Sequence, residues 1–106
     1  KETMNNKKIT IVLGLNYGGR DEIIRAIKRG KNLTKENLGN YLDTAGIPDP
    51  DLIIRTGGEK RLSGFMLWQS EYSELYFSDL LFPDFTAKEL EKAIINYSER
   101  QRRFGK

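Results

Sequence analysis

Leu52, Ile53 and Ile54 form a short apolar run of the kind a buried strand uses, and the run breaks at once into Arg55, Thr56, Gly57 and Gly58. A strand that ends where charge and glycine begin constrains this chain more than any other feature. The two glycines allow a tight turn and are expected to bring backbone N–H groups close to a ligand. Arg55, Lys60 and Arg61 against the single Glu59 leave a net charge of +2 within seven residues. Guanidinium groups grip phosphate oxygens in a bidentate fork, and Ser63 adds a neutral hydroxyl donor. On residue types alone, a phosphate or diphosphate site and a plain surface turn both remain open.

The rest of the chain supplies an α/β frame for that junction. Ile9 to Leu15 is a β-branched apolar run that predicts a second buried strand. Asn16 to Gly19 breaks it, and a helix is expected from about Asp21, with Ile23, Ile24 and Ile27 facing inward, Glu22, Arg25 and Lys28 facing outward, and Gly30 as the stop. In open α/β sheets ligands gather at strand C-terminal ends, which would bring the Tyr17–Arg20 turn beside the Arg55 turn. Leu33, Thr34 and Leu38 read as a hydrophobic staple around an N-cap, opening a short helix to about Asp43. Gly46, Pro48 and Pro50 then force an extended approach to Leu52.

Apolar residues crowd the segment from Phe65 to Phe85 and predict core, with part of the surface facing another subunit or a missing part of the fold. Glu74, flanked by Leu75, Tyr76 and Phe77, either alternates out to solvent or holds a metal. Pro83 and the Thr86-x-x-Glu89 capping box open a last helix to about Arg102, its inner face marked by Leu90, Ala93, Ile94 and Tyr97. Arg100, Arg102, Arg103 and Lys106 either complement the helix dipole or form a second phosphate contact.

Composition narrows the chemistry. A length of 106 residues fits one small domain, and no apolar run reaches the ~20 residues of a membrane-spanning helix. With no apolar leader after Lys1, a cytoplasmic location is expected. The absence of cysteine and histidine removes thiolate catalysis, Cys-bound zinc and the usual general base, so any metal must be held by oxygen, as Mg²⁺ is. A net charge of +3 suits acidic small molecules or an anionic lipid surface without demanding nucleic acid.

The wording is more specific than the chemistry. Arg-Thr-Gly-Gly-Glu-x-Arg-x-Ser from Arg55 to Ser63, then Phe-x-Leu-Trp-Gln and Tyr-x-Glu-Leu-Tyr-Phe, resembles the signature of the cis-prenyltransferases of undecaprenyl and dehydrodolichyl diphosphate synthase type. Asn16-Tyr17-Gly18-Gly19-Arg20, Phe82-Pro83-Asp84-Phe85 and Arg102-Arg103-Phe104-Gly105 resemble further blocks of that family, in family order. The resemblance implies an α/β fold, here the C-terminal part of a mostly parallel β-sheet flanked by helices, with residues 1–106 as the C-terminal half of the domain and the N-terminal half, which carries the catalytic aspartate, absent. It implies transfer of isopentenyl diphosphate units to an allylic prenyl diphosphate with cis double bonds, using Mg²⁺, in a homodimer with peripheral membrane contact through its lipid product. Carried over by position, Arg55, Arg61 and Ser63 would hold the diphosphate of isopentenyl diphosphate, Glu74 would assist the Mg²⁺ site, and Arg103 with Gly105 would reach across the dimer.

Two departures accompany the match: the link from Arg29 to Leu33 is short for the family, and Gly64 stands where some bacterial members carry Asn. By itself this half would lack turnover. A non-catalytic subunit of a heteromeric cis-prenyltransferase is an alternative, although such subunits typically lose the Arg-x-x-x-x-x-Arg block that this chain keeps. A basic nucleic-acid module is a weaker one, because the aromatics lie in apolar runs rather than between Lys and Arg.

Overall fold

The chain is described by a computed structural model covering residues 11–105, with side chains given through residue 100. Helix α1 (Gly19–Arg29) is followed by a 3-10 turn at Leu38–Tyr41, strand β1 (Leu52–Arg55), strand β2 (Glu74–Phe77), a second 3-10 turn at Phe82–Asp84 and helix α2 (Ala87–Gly105). The fold is α/β. β1 and β2 are parallel, with Leu52 opposite Glu74 and Arg55 opposite Phe77. Parallel neighbours need a long crossover, and the segment from Thr56 to Ser73 supplies it.

The strand pair is tied at both ends. At the entry, the Glu74 N–H donates to Asp51 O at 2.9 Å and the Ser73 hydroxyl donates to Pro50 O at 2.6 Å. At the exit, the Ser78 N–H donates to Arg55 O at 2.8 Å. The apolar run at Leu52–Ile54 therefore forms the strand its composition predicts, and Ile53 is buried.

α1 ends at Gly30 as expected, with the Gly30 N–H on Ala26 O. Its buried face, however, is not the expected isoleucine stripe. Glu22 and Ala26 are buried, whereas Ile24 and Ile27 are half exposed. The reason lies in what packs on the helix: Ala26, Leu38 and Leu42 form the core cluster, bordered by Ile23, Leu33 and Tyr41, and the Leu38–Leu42 segment covers only the Glu22–Ala26 side. The Thr34 cap forms reciprocally, with the Asn37 N–H on Thr34 Oγ1 at 3.2 Å and the Thr34 N–H on Asn37 Oδ1 at 2.8 Å. The element it opens is a short 3-10 turn rather than a helix to Asp43, because Gly39 and Asn40 favour tight turns and the chain must bend back to place Asp43 beside α1.

Burying Glu22 requires partners, and three segments supply them. Its carboxylate accepts from the Tyr17 hydroxyl, from the Asp43 N–H at 2.9 Å, and from Gln69 Nε2 at 3.2 and 3.1 Å. Gln69, itself buried, also donates to Thr44 Oγ1 at 3.0 Å. Outside this knot, Arg25 and Arg29 pair with the Asp43 carboxylate at the surface.

Four other expectations change. Ile11–Leu15, the described part of the predicted first strand, is irregular, and Ile11, Val12, Leu13 and Leu15 are all exposed; Ile9 and Thr10 lie outside the described residues. A strand is held by a neighbour, and the described sheet has only β1 and β2. On α2 only Ala93 of the predicted inner face is fully buried, while Leu90 and Ile94 are exposed, since only the short β2 packs beneath the helix. The capping box is half formed: the Glu89 N–H reaches Thr86 Oγ1 at 3.4 Å, but the Glu89 carboxylate turns to Lys92. α2 continues to Gly105, past the expected end at Arg102. No helix among the described residues is long and apolar enough to cross a membrane.

Replacing Glu22 by Leu should destabilise the fold by on the order of 3 kcal/mol, since it leaves the Tyr17, Asp43 and Gln69 donors without their acceptor. Urea unfolding followed by circular dichroism measures this; an unchanged midpoint would show that the knot contributes nothing.

Candidate functional site

The exit of β1 carries the cations. Arg55, its last residue, donates from Nη1 to Arg61 O at 2.7 Å, folding the segment between them into a closed loop. Gly57 and Gly58 both take positive φ, 90° and 81°, which makes this loop possible. Their N–H groups do not point at a ligand, as the sequence suggested. They donate to Leu80 O at 2.7 Å and Ser78 O at 2.9 Å, so the turn after β1 is fastened to the turn after β2. Both glycines are exposed, and this pairing satisfies their N–H groups within the protein rather than with water. Any anion at this loop would therefore be met by side chains.

Arg61 is exposed and pairs with Glu59 along the loop, a contact that water weakens and that an incoming anion can replace. Ser63 and Gly64 follow with φ of 51° and 86°. A left-handed serine is uncommon, and here it marks a sharp corner beside Arg61. The corner rests on the N-terminal turn of α1. A Cβ on Gly19 would lie 2.1 Å from Gly64 O and 2.7 Å from Leu67 Cγ, so only glycine permits the approach. Between the two lies an open cleft of about 410 Å³ lined by Gly18, Gly19, Arg20, Asp21, Ser63, Gly64 and Leu67. Arg55, Leu62 and Phe65 border a second hollow of about 280 Å³.

The structure thus brings Arg55, Arg61 and Ser63 into one loop and sets the Gly18–Arg20 turn against it, through the close approach of Gly19 to Gly64 rather than from a strand end, since Ile11–Leu15 form no strand. Glu74 is elsewhere. It stands at the entry of β2, three residues or roughly 10 Å of strand from the level of Arg55. Its Oε1 accepts from Arg100 Nη1 at 2.9 Å, so it neither alternates freely to solvent nor stands as an unpaired carboxylate. Among the described residues no group of three or more Asp or Glu converges on a point that would hold a metal. One carboxylate, already paired with an arginine and distant from the cationic loop, does not fit a Mg²⁺ shared with a diphosphate in that loop. The side chains of Arg103 and Gly105's neighbours lie outside the described residues; the backbone there is the last turn of α2.

Sequence reasoning gave the side chains of Tyr17, Glu22 and Gln69 no part in the site, and Arg100, expected to complement the helix dipole or to contact phosphate, instead donates to Glu74 and to Leu75 O. Tyr17 joins the two halves of the site: its hydroxyl binds Glu22, and its ring meets Phe65 edge-on at 5.8 Å. Burial, then the hydrogen bond and negative charge of Glu22, push the hydroxyl pKa up to about 12, against an opposing backbone contact from Met66. A glutamate in the first turn of a helix reads ordinarily as a partner for the dipole. Only its spacing from an aromatic hydroxyl across the Gly-Gly turn hints otherwise.

Comparison with known proteins is consistent with this arrangement. The prenyltransferase family described as "putative undecaprenyl diphosphate synthase" matches residues 1–105. The chain belongs to this family. It is 54% identical to an isoprenyl transferase of Fusobacterium nucleatum across 99% of its own length and 47% of that protein, and 51% identical to one of Clostridium tetani across 98% and 45%. It spans about half the length of these curated relatives. In structure it is similar to a "probable undecaprenyl diphosphate synthase" of Campylobacter jejuni, with a TM-score of 0.70 and 48% identity over 85% of this chain and 44% of that one. A lavandulyl diphosphate synthase of Lavandula x intermedia, in complex with dimethylallyl diphosphate, gives a TM-score of 0.69 at 37% identity over 76% of this chain and 40% of the other.

Two outcomes test this geometry. Gly19→Ala should push the Ser63–Gly64 corner away from α1 and cost roughly 1–3 kcal/mol, read as a lowered melting temperature together with weaker inorganic diphosphate binding by calorimetry. The raised Tyr17 pKa stabilises the fold fully below pH 10, and this contribution is lost as pH rises through about 12. Stability should therefore fall across that window, and fall less steeply in Tyr17→Phe.

Proposed function

We propose that this chain is the C-terminal half of an enzyme that adds isopentenyl diphosphate units to an allylic prenyl diphosphate, forming cis double bonds and releasing diphosphate, to make a polyprenyl diphosphate. The observation that carries the reading is the loop closed by the Arg55–Arg61 bond, with Ser63 at its corner beside an open cleft. Family membership supplies the reaction class.

Within that reading each side chain has a distinct part. Arg61, held only by a surface contact with Glu59, exchanges that carboxylate for the diphosphate of isopentenyl diphosphate. Arg55 has one guanidinium nitrogen committed to Arg61 O; it sets the loop shape and adds positive charge from beneath. The Ser63 hydroxyl donates the third contact. Two guanidinium groups and a hydroxyl orient the phosphate end, so the apolar end can align with an allylic partner, an effect of positioning rather than of acid or base. A bound Mg²⁺ would supply charge neutralisation for a diphosphate. By resemblance Glu74 would help hold it; the pairing with Arg100 does not favour that role, and no step here is routed through the metal.

By the same resemblance the protein acts as a homodimer, with Arg103 and Gly105 at the end of α2 extending to the partner's site, and its lipid product brings it to the membrane surface. This half alone is proposed to lack turnover, because the residues that ionise the allylic diphosphate belong to the other half.

Steady-state kinetics of Arg61→Ala in the intact protein should show the KM for isopentenyl diphosphate raised by at least roughly tenfold, in keeping with the loss of one charged hydrogen-bond pair. An unchanged KM would remove Arg61 from the binding site.

A further inference from the structure

Arg100 is the most fully used guanidinium among the described residues. Its Nε donates to Asn96 Oδ1 at 2.9 Å, one turn back on α2; Nη1 donates to Glu74 Oε1 at 2.9 Å; and Nη2 donates to Leu75 O at 2.8 Å. The Leu75 carbonyl is a particular acceptor. Along a strand successive carbonyls point to opposite sides, and the bonds from the Glu74 and Ser78 N–H groups to Asp51 O and Arg55 O fix the β1-facing set. Leu75 O therefore faces the other edge of β2, where no strand follows among the described residues. One side chain of α2 thus both neutralises the carboxylate at the entry of β2 and closes that strand's open edge. Arg100 and Glu74 are shielded, their side chains 30% and 21% exposed, so the pair is less weakened by water than the surface ion pairs on α1.

We propose that Glu74 and Arg100 form an ion-pair clamp that fixes the C-terminal turns of α2 on the free edge of β2, making both positioning residues for the Arg103–Gly105 end of the helix. Among the side chains described, through Arg100, Ala93 is the buried apolar residue of α2, two turns earlier, and Leu90, Ile94 and Ile95 are exposed. A planar fork with three fixed acceptors sets both the distance and the rotation of the helix, which a lysine's single ammonium does not. The inference rests on the proposed role of the helix end but gives Glu74 a different part from the metal ligand that resemblance suggests.

The test uses the intact protein and four variants: Glu74→Gln, Arg100→Ala, Arg100→Lys, and the exchange Glu74→Arg with Arg100→Glu. Amide hydrogen exchange should quicken roughly 5- to 30-fold at residues 97–105 in Glu74→Gln and in Arg100→Ala, the range expected for loss of a shielded, multiply bonded pair. Arg100→Lys should recover only part of the protection, and the exchanged pair should recover more than either charge reversal alone. The Mg²⁺ concentration for half-maximal activity should be no more altered in Glu74→Gln than in Arg100→Ala. Unchanged exchange in both single variants overturns the clamp. A Mg²⁺ requirement raised by Glu74→Gln but not by Arg100→Ala also overturns it and restores Glu74 to the metal. Loss of isopentenyl diphosphate binding on Arg61→Ala bears on the proposed reaction alone and leaves the clamp standing.

Discussion

A carboxylate buried to 1% exposure has to be satisfied or the fold gives way, and Glu22 is satisfied by a hydroxyl, a backbone amide and a side-chain amide from three separate segments. An uncompensated charge in such a place costs several kcal/mol at least. The bonds therefore do more than stabilise. They compel Tyr17, Asp43 and Gln69 to meet at one point of α1, and with them the turn before the helix, the bend after the 3-10 turn and the end of the cationic loop. Gln69 must present its amide nitrogen to the carboxylate, which leaves its Oε1 without a partner among the described residues. That orphaned carbonyl is the local cost of holding the charge.

The cationic loop inherits its shape from this knot and from the strand pair. Gln69 anchors its far end on α1, Arg55 anchors its near end on β1, and Gly57 and Gly58 bind it to the turn after β2. Between these anchors the chain turns a left-handed corner at Ser63 and Gly64, close enough to α1 that Gly19 has no room for a side chain. Pre-organisation of this kind would let two arginines and a serine act together on an anion under the proposed function, since the loop need not be ordered at the moment of binding. The same parallel register that places Arg55 at the exit places Glu74 at the entry. The two charges of opposite sign are thereby kept apart, and Glu74 is available to α2.

Large apolar side chains remain on the surface on three sides: Ile11 to Leu15 ahead of α1, Leu80 to Phe82 after β2, and Leu90, Ile94 and Ile95 on α2. The fully buried apolar residues, by contrast, are few and mostly small or grouped under α1. Large apolar exposure is common where one protein surface meets another. It accords with a chain that covers about half of each relative it matches.

Local chemistry was legible in the chain itself. The apolar run into Arg-Thr-Gly-Gly announced a strand and a cationic turn, Gly30 announced the end of α1, and the Thr34 and Thr86 caps announced where turns begin, because each depends on neighbours within a few residues. The ordered motifs announced the family for the same reason: they are contiguous words. What lay beyond reach was set by pairs far apart in sequence. From sequence Glu22 falls on the solvent-facing side of its helix because its partners stand at Asp43 and Gln69, and Glu74 is open to water or metal because Arg100 lies 26 positions away. Isoleucine periodicity pointed α1 inward on Ile24 and Ile27, yet a helix buries the face its neighbours cover, and the chain bends back over Glu22 and Ala26 instead. Periodicity determines that a face exists; only the tertiary contacts decide which one is covered, and by what charge.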